Sequence, residues 1–253
     1  MTEQADIYTE VFTLHKETDI KPAADAVMDG KITVMKVGSV FSILYNPNIA
    51  DLTEKICLLK GRQEGQVMSV VCSYGQAKQI VNRELVNKDF FLLSDDFCSK
   101  VIIRIPIDKT ITLSFPYNAQ DDTLQFLNFG DMHPIRKAFR EELASRGCEY
   151  ISITSGNIHD APTIEELEPA KMLAALFNIK ASFWEMHNAQ TVVTDIPTDR
   201  GAHKGSFIIL SFCNPDAIEV KRLANKVDRE VTEKYLDDLF AELHTQTPLV
   251  YAL

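Results

Sequence analysis

The apolar positions of this chain change period along its length, and the change predicts strands interleaved with helices. Two apolar runs, 31–37 and 39–45, flank Gly38 and predict strands. A helix is expected over 51–59, where Leu52, Ile56 and Leu59 share one face. Upstream, 22–29 predicts a short helix with Pro22 near its first turn and Gly30 as its stop. Strands are expected at 67–73, 101–105, 111–115 and 124–129, with a short helix at 76–81. The segment 133–146 predicts a helix closed by Gly147. Next, 149–154 alternates as a strand and breaks into Ser155-Gly156-Asn157. Thr163 stands three residues before Glu166, a capping-box spacing that starts a helix there. Strands at 179–186, 191–196 and 206–212 follow, then helices at 216–225 and 230–243. The last is amphipathic through Val231, Tyr235, Leu236, Leu239, Phe240 and Leu243. Some strands follow one another directly and others are linked by helices. That mixture predicts an α/β fold, a twisted mixed sheet, parallel and antiparallel, flanked by helices.

Composition narrows the setting. The 253 residues fit one large domain, or one with a modest appendage. The expected division is a lead-in over 1–20, a main domain over 21–212 and a helical C-terminal extension over 213–253, packed on that domain. No apolar run approaches the ~20 residues that cross a bilayer, so no membrane partner is expected. No basic segment followed by an apolar block heads the sequence. The five cysteines are scattered without a CxxC pair, which suits reduced thiols and a cytoplasmic protein. The net charge of −10 disfavours nucleic acid except through a local basic groove. The most positive stretch is 133–146, with Arg136, Lys137, Arg140 and Arg146. Neither GxGxxG nor GxxxxGK[ST] occurs.

Two short constellations carry candidate chemistry. In Lys60-Gly61-Arg62, Gly61 stands where a helix ends. The two cations either hold a phosphate or carboxylate or complement the negative end of the helix dipole. In Ser155-Gly156-Asn157, a hydroxyl and an amide stand at the end of a strand. They contact a ligand there, or form a turn in which Gly supplies a special backbone angle. His159-Asp160 follows, but adjacent residues diverge too far for an acid–base relay, and no G-x-S-x-G elbow is present. The six histidines have no metal-ligand spacing, so no protein-bound metal site is expected.

Taken in order, these motifs resemble the YrdC-like family, which includes the threonylcarbamoyl-AMP synthases and YciO. The resemblance rests on the strand from Val40, the helix ending in Lys60-x-Arg62, and Asp131-Met132-His133-Pro134. It continues with Ser155-x-Asn157, Pro162-Thr163 before an acidic helix, and Thr191-Val192-Val193-Thr194-Asp195. It covers about 22–212. It implies a YrdC-like sheet with a concave pocket, in which Lys60, Arg62, Ser155 and Asn157 bind a nucleotide. Lys36, Ser39, Thr154 and Thr191 would line the same pocket. The ligands implied are ATP with Mg²⁺. The implied chemistry joins L-threonine, bicarbonate and ATP into threonylcarbamoyl-AMP for tRNA modification. The departures are several. Val37 and Gly38 stand where the family has a threonine and an acidic residue. Gln66 stands at a lysine, and Phe129 at an arginine. The family's late arginine has no match in 206–212, although Arg200 and Lys204 lie just before. The resulting expectation is a divergent nucleotide- or RNA-binding relative, with catalysis altered or lost. An active synthase and a protein–protein adaptor working through the C-terminal helices are the alternatives.

Overall fold

The computed structural model describes residues 10–183, 191–195 and 207–252, apart from 15, 38, 63–67, 112, 114, 116, 129–133, 160, 225–227, 242, 244 and 246. Of 10–13, 178–183 and 191–195 only the backbone is described. The strands are β1 (Glu10–Thr13), β2 (Ile32–Val37), β3 (Val40–Tyr45), β4 (Ser69–Val71), β5 (Ile102–Pro106), β6 (Thr123–Leu127), β7 (Ile151–Ser155), β8 (Thr191–Asp195), β9 (Ile209–Asn214), β10 (Ala217–Arg222) and β11 (Leu249–Tyr251). They form one sheet in the order β1-β8-β2-β3-β7-β4-β6-β5-β9-β10-β11. Antiparallel pairs such as β2/β3 and β3/β7 sit beside parallel pairs such as β2/β8, β4/β6 and β5/β9. The helices are α1 (Glu17–Met28), α2 (Leu52–Lys60), α3 (Tyr74–Ile80), α4 (Asp95–Lys100), α5 (Pro134–Ser145), α6 (Leu167–Phe183) and α7 (Arg229–Ala241), with a short 3₁₀ turn at Lys88–Leu92.

The strand period of two sorts side chains into separate cores. Ile32 and Val34 of β2 pack with Ile56 and Leu59 of α2 and Ala174 and Phe177 of α6. Met35 and Val37, of the other parity, pack with Ala24 and Val27 of α1 and Phe139 and Leu143 of α5. All six residues of β3 are buried, as a strand covered on both faces requires. The other half of the sheet, from β4 to β10, is covered by α3, α4, α7 and the 3₁₀ turn around Phe90, Phe126 and Phe212. Phe90 makes edge-on contacts with Tyr74, Phe126 and Phe212 at 5.4, 6.4 and 6.1 Å between ring centres.

Several expectations need correction. The first helix begins at Glu17, with the Lys16 N–H donating to Asp19 Oδ2 at 3.0 Å, so Pro22 lies inside it. The expected helix at 216–225 is instead β10, which turns back from β9 as a hairpin. Asn214-Pro215-Asp216 between two alternating runs was the turn signal that decides this. The expected strand at 179–186 lies, as far as 183, within α6, and 184–186 fall outside the described residues. Thr163 does not start α6, which begins at Leu167. Of 111–115, the described residues 111, 113 and 115 carry no strand. Strands β1 and β11, the 3₁₀ turn and α4 had not been expected. The boundary placed at 212/213 falls within β9, and the segment beyond it adds two strands to the sheet as well as α7. The basic helix packs against α1, where Arg146 bridges Asp25 at 2.5 Å and Glu142.

Candidate functional site

A row of side chains crosses the sheet and forms the floor of a cavity of about 320 Å³. Ser42 of β3 is paired with Ser155 of β7, and Ile153 of β7 with Ser69 of β4. Ser69 is paired with Gln125 of β6. Further along, Ile102, Ile209 and Arg222 pair in turn across β5, β9 and β10. All of these line the cavity, together with Val40, Leu127 and Phe207 on its apolar side. Arg62, Thr154, Asn157, Ala161 and Thr163 complete it. Among the described residues, every lining residue except the two arginines is neutral, and none is acidic.

The loop after β7 is positioned from below by Lys60. Helix α2 ends at Gly61, whose φ of 70° is open to glycine at little steric cost. Lys60 is buried, and its Nζ donates to the backbone oxygens of Ser155 and of Asn157, the latter at 2.6 Å. Ser155 Oγ lies 3.4 Å away. Burial, and then the charge of Arg62, pull the Lys60 amine down to about 7. The His159 N–H donates to the Lys60 carbonyl at 2.8 Å, tying the same loop to the helix end. Gly156 is buried where β3 passes close. Its N–H donates to the Phe41 carbonyl at 2.8 Å, and a Cβ there would stand 2.6 Å from that oxygen. The special backbone angle considered for Gly156 is therefore replaced by close approach: only glycine fits beside Phe41.

Four site residues expected from the sequence are thus brought together, in two roles. Arg62, Ser155 and Asn157 line the cavity. Lys60 does not, because its ammonium is spent on carbonyls behind the loop. Asn157 Nδ2 donates to the Ala161 carbonyl and closes the loop, while its Oδ1 is buried without a partner. Thr154 lines the cavity, and its buried Oγ1 lacks a partner among the described residues. Arg62 Nη1 approaches Met68 Sδ at 3.4 Å, and burial lowers the pKa of its guanidinium. Lys36 and Ser39 do not line the cavity. The Lys36 ammonium lies 5.5 Å from the centre of the Phe41 ring. Thr191 lies on β8, in register with Ile32, and only its backbone is described. Val37 is buried in the core beneath α1, not at the cavity. Gly38, Gln66, Phe129, Asp131, His133, Arg200 and Lys204 lie outside the described residues. Arg222 is no candidate in the sequence pattern, which predicts a helix over its segment.

No family model matches the sequence, and no curated protein matches it. Solved structures do. Sua5 of P. abyssi, in a crystal structure complexed with L-threonine, superposes with a TM-score of 0.66 at 13% identity over 95% of this chain. E. coli YciO gives 0.59 at 15% identity, over 85% of this chain and 95% of its own. Full-length HypF, in a phosphate- and nucleotide-bound form, gives 0.55 at 20% identity, over 80% of this chain and 28% of its own. The chain spans 62% of the Sua5 structure it matches. The chain therefore has the YrdC-like fold, a mixed and open sheet flanked by helices. Its sequence is only 13–20% identical to those of these three structures. Among the described residues no helix is long and apolar enough to cross a membrane.

Proposed function

We propose that this protein is a divergent YrdC-like ligand-binding domain whose cavity takes a nucleotide or another anionic small molecule, with the synthase chemistry altered or lost. The observation that carries this reading is the cavity itself: Arg62, Ser155 and Asn157 converge on it, and no carboxylate lines it among the described residues, in a chain of net charge −10. Perturbed cations and unpartnered polar atoms in one concave site are what ligand recognition calls for. Two features favour altered chemistry. Lys60 is engaged with backbone oxygens, and Val37 brings no hydroxyl to the cavity. The cavity fits phosphate oxygens, but among the described residues it offers no carboxylate to a metal. Mg²⁺ would enter with the nucleotide's phosphates, as that ion commonly does. RNA is disfavoured by the net charge and by the ion pairs that Arg146 and Lys137 make on α5.

The test is calorimetric titration with ATP and Mg²⁺, with and without L-threonine and bicarbonate. ATP binding that neither co-substrate tightens is the expected result. Binding tightened by both, with pyrophosphate released, would instead identify an active synthase. No heat from a folded sample under any combination would remove the nucleotide reading.

A further inference from the structure

Two buried hydroxyls meet beneath helix α2, behind the wall of the cavity. Tyr45, the last residue of β3, is paired with Ser152 of β7. Paired residues of an antiparallel ladder present their side chains side by side on one face. Both residues are wholly buried, and neither lines the cavity. Yet Tyr45 Oη and Ser152 Oγ each lack a hydrogen-bond partner among the described residues. A buried hydroxyl left alone is costly, and two left side by side call for a third group that answers both.

The surroundings point to what that group does. Tyr45 packs with Ile56, Leu59 and Met68, and Cys57 lies against the same core. Thr53 and Cys57, four residues apart, share one stripe of α2. At the end of that helix the Arg62 N–H turns back to the Cys57 carbonyl at 2.9 Å, and Arg62 Nη1 lies 3.4 Å from Met68 Sδ. The guanidinium therefore stands at the rim of the core that holds the phenol. Burial raises the pKa of that phenol, and the hydroxyls of Thr53 and Ser152, and then the charge of Arg62, act against the rise. Thr154, two residues on from Ser152 and on the same face of β7, lines the cavity together with Arg62. A water molecule both donates and accepts, and buried waters typically make about three hydrogen bonds to groups of this kind.

We infer that Tyr45 is a positioning residue for the site: with Ser152 it holds a buried water that orients the Arg62 guanidinium toward the cavity. The inference rests on the ligand-binding reading above, in which Arg62 lines the cavity, and it concerns how that side chain is held. Tyr45 gives the ligand no surface of its own. An arginine already held in its binding rotamer gives up less freedom when the ligand arrives, which is worth roughly threefold to tenfold in affinity.

The experiment combines calorimetry with ATP and Mg²⁺ on the wild type, Tyr45→Phe, Ser152→Ala, Arg62→Gln and the Y45F/R62Q double variant with crystal structures of the wild type and Y45F. Phenylalanine keeps the ring, so the packing beneath α2 is preserved. The wild-type crystal should show a water within hydrogen-bond reach of Tyr45 Oη, Ser152 Oγ and the Arg62 guanidinium. In the Y45F crystal that water should be lost and the guanidinium displaced. Y45F should weaken ATP about threefold to tenfold at an unchanged melting temperature. S152A, at the other end of the water, should act in the same direction and serves as the test should Y45F not fold. In the R62Q background Y45F should add nothing, because its effect passes through Arg62. Equal weakening in both backgrounds would show a merely structural role and overturn the inference. Arg62 unmoved in the Y45F crystal, or ATP bound as tightly by Y45F as by the wild type, would overturn it too and leave the nucleotide reading standing. A folded wild type that binds no ATP would remove that reading, and the position of Arg62 in the two crystals would then support or overturn the inference by itself.

Discussion

Lys60→Met tests whether a buried amine holds up the floor of the site. Methionine keeps most of the stem but removes the donor. The backbone oxygens of Ser155 and Asn157 would then be buried without their partner. Each such orphan costs about 1–3 kcal/mol, so the donor loss comes to roughly 2–6 kcal/mol. Relief of the burial cost of the charge offsets part of it, and that part depends on pH. The Lys60 amine is pulled down to about 7 from the usual lysine range near 10.5, by burial first and by Arg62 second, with the charge of Cys57 opposing the shift. The unfolded chain therefore binds more protons at this site than the folded one between about pH 7 and 10.5. Stability from this group must rise with pH across that window, by up to roughly 1.4 kcal/mol per unit, and must be flat below it. Urea unfolding of wild type and K60M from pH 6 to 9.5 isolates the effect, because other titrating groups cancel in the difference. The expected result is a K60M protein that is less stable at pH 8, by a margin that widens with pH above 7. A margin constant from pH 6 to 9.5 would show that the oxygens keep the ammonium charged and would refute the linkage. No destabilisation at pH 8 or above would refute the strut itself.

Three further outcomes follow from the same geometry. Gly156→Ala forces a Cβ to within 2.6 Å of the Phe41 carbonyl, so β3 or the loop must move, at about 1–3 kcal/mol in chemical unfolding; an unchanged midpoint would mean that this close approach is not kept in solution. Thr154→Val removes a buried hydroxyl without a partner, so stability should hold or rise by about 1 kcal/mol while ATP affinity falls; a loss of more than that in stability would show that the hydroxyl is satisfied within the protein. Val37→Thr buries a hydroxyl in the core beneath α1, at about 1–3 kcal/mol, and leaves ATP affinity unchanged because Val37 does not reach the cavity; tighter ATP binding would place this side chain at the site after all.

The hydrophobic pattern alone determined the α/β class, the helix stops at Gly30, Gly61 and Gly147, and the strand pair on either side of residue 38. These are local matters, set by backbone sterics and by which neighbours share a face. The resemblance of the motif order to the YrdC-like family is what drew Lys60, Arg62, Ser155 and Asn157 together. Their division of labour was not legible. Lys60 and Arg62 are both cations two residues apart, yet one lies behind the loop and the other lines the cavity, and only the approach of β7 to the end of α2 decides which. Gly156 looked like a turn residue; the reason for it is a strand remote in sequence, whose carbonyl leaves no room for a Cβ. Arg222 could have been brought closer by reading Asn214-Pro215-Asp216 as a hairpin turn, but that reading alone would still have placed Arg222 on the same face as Val220. The register shift between Val220 and Arg222 that sends it to the cavity is a property of the pairing between β9 and β10, and no pattern within either strand encodes it.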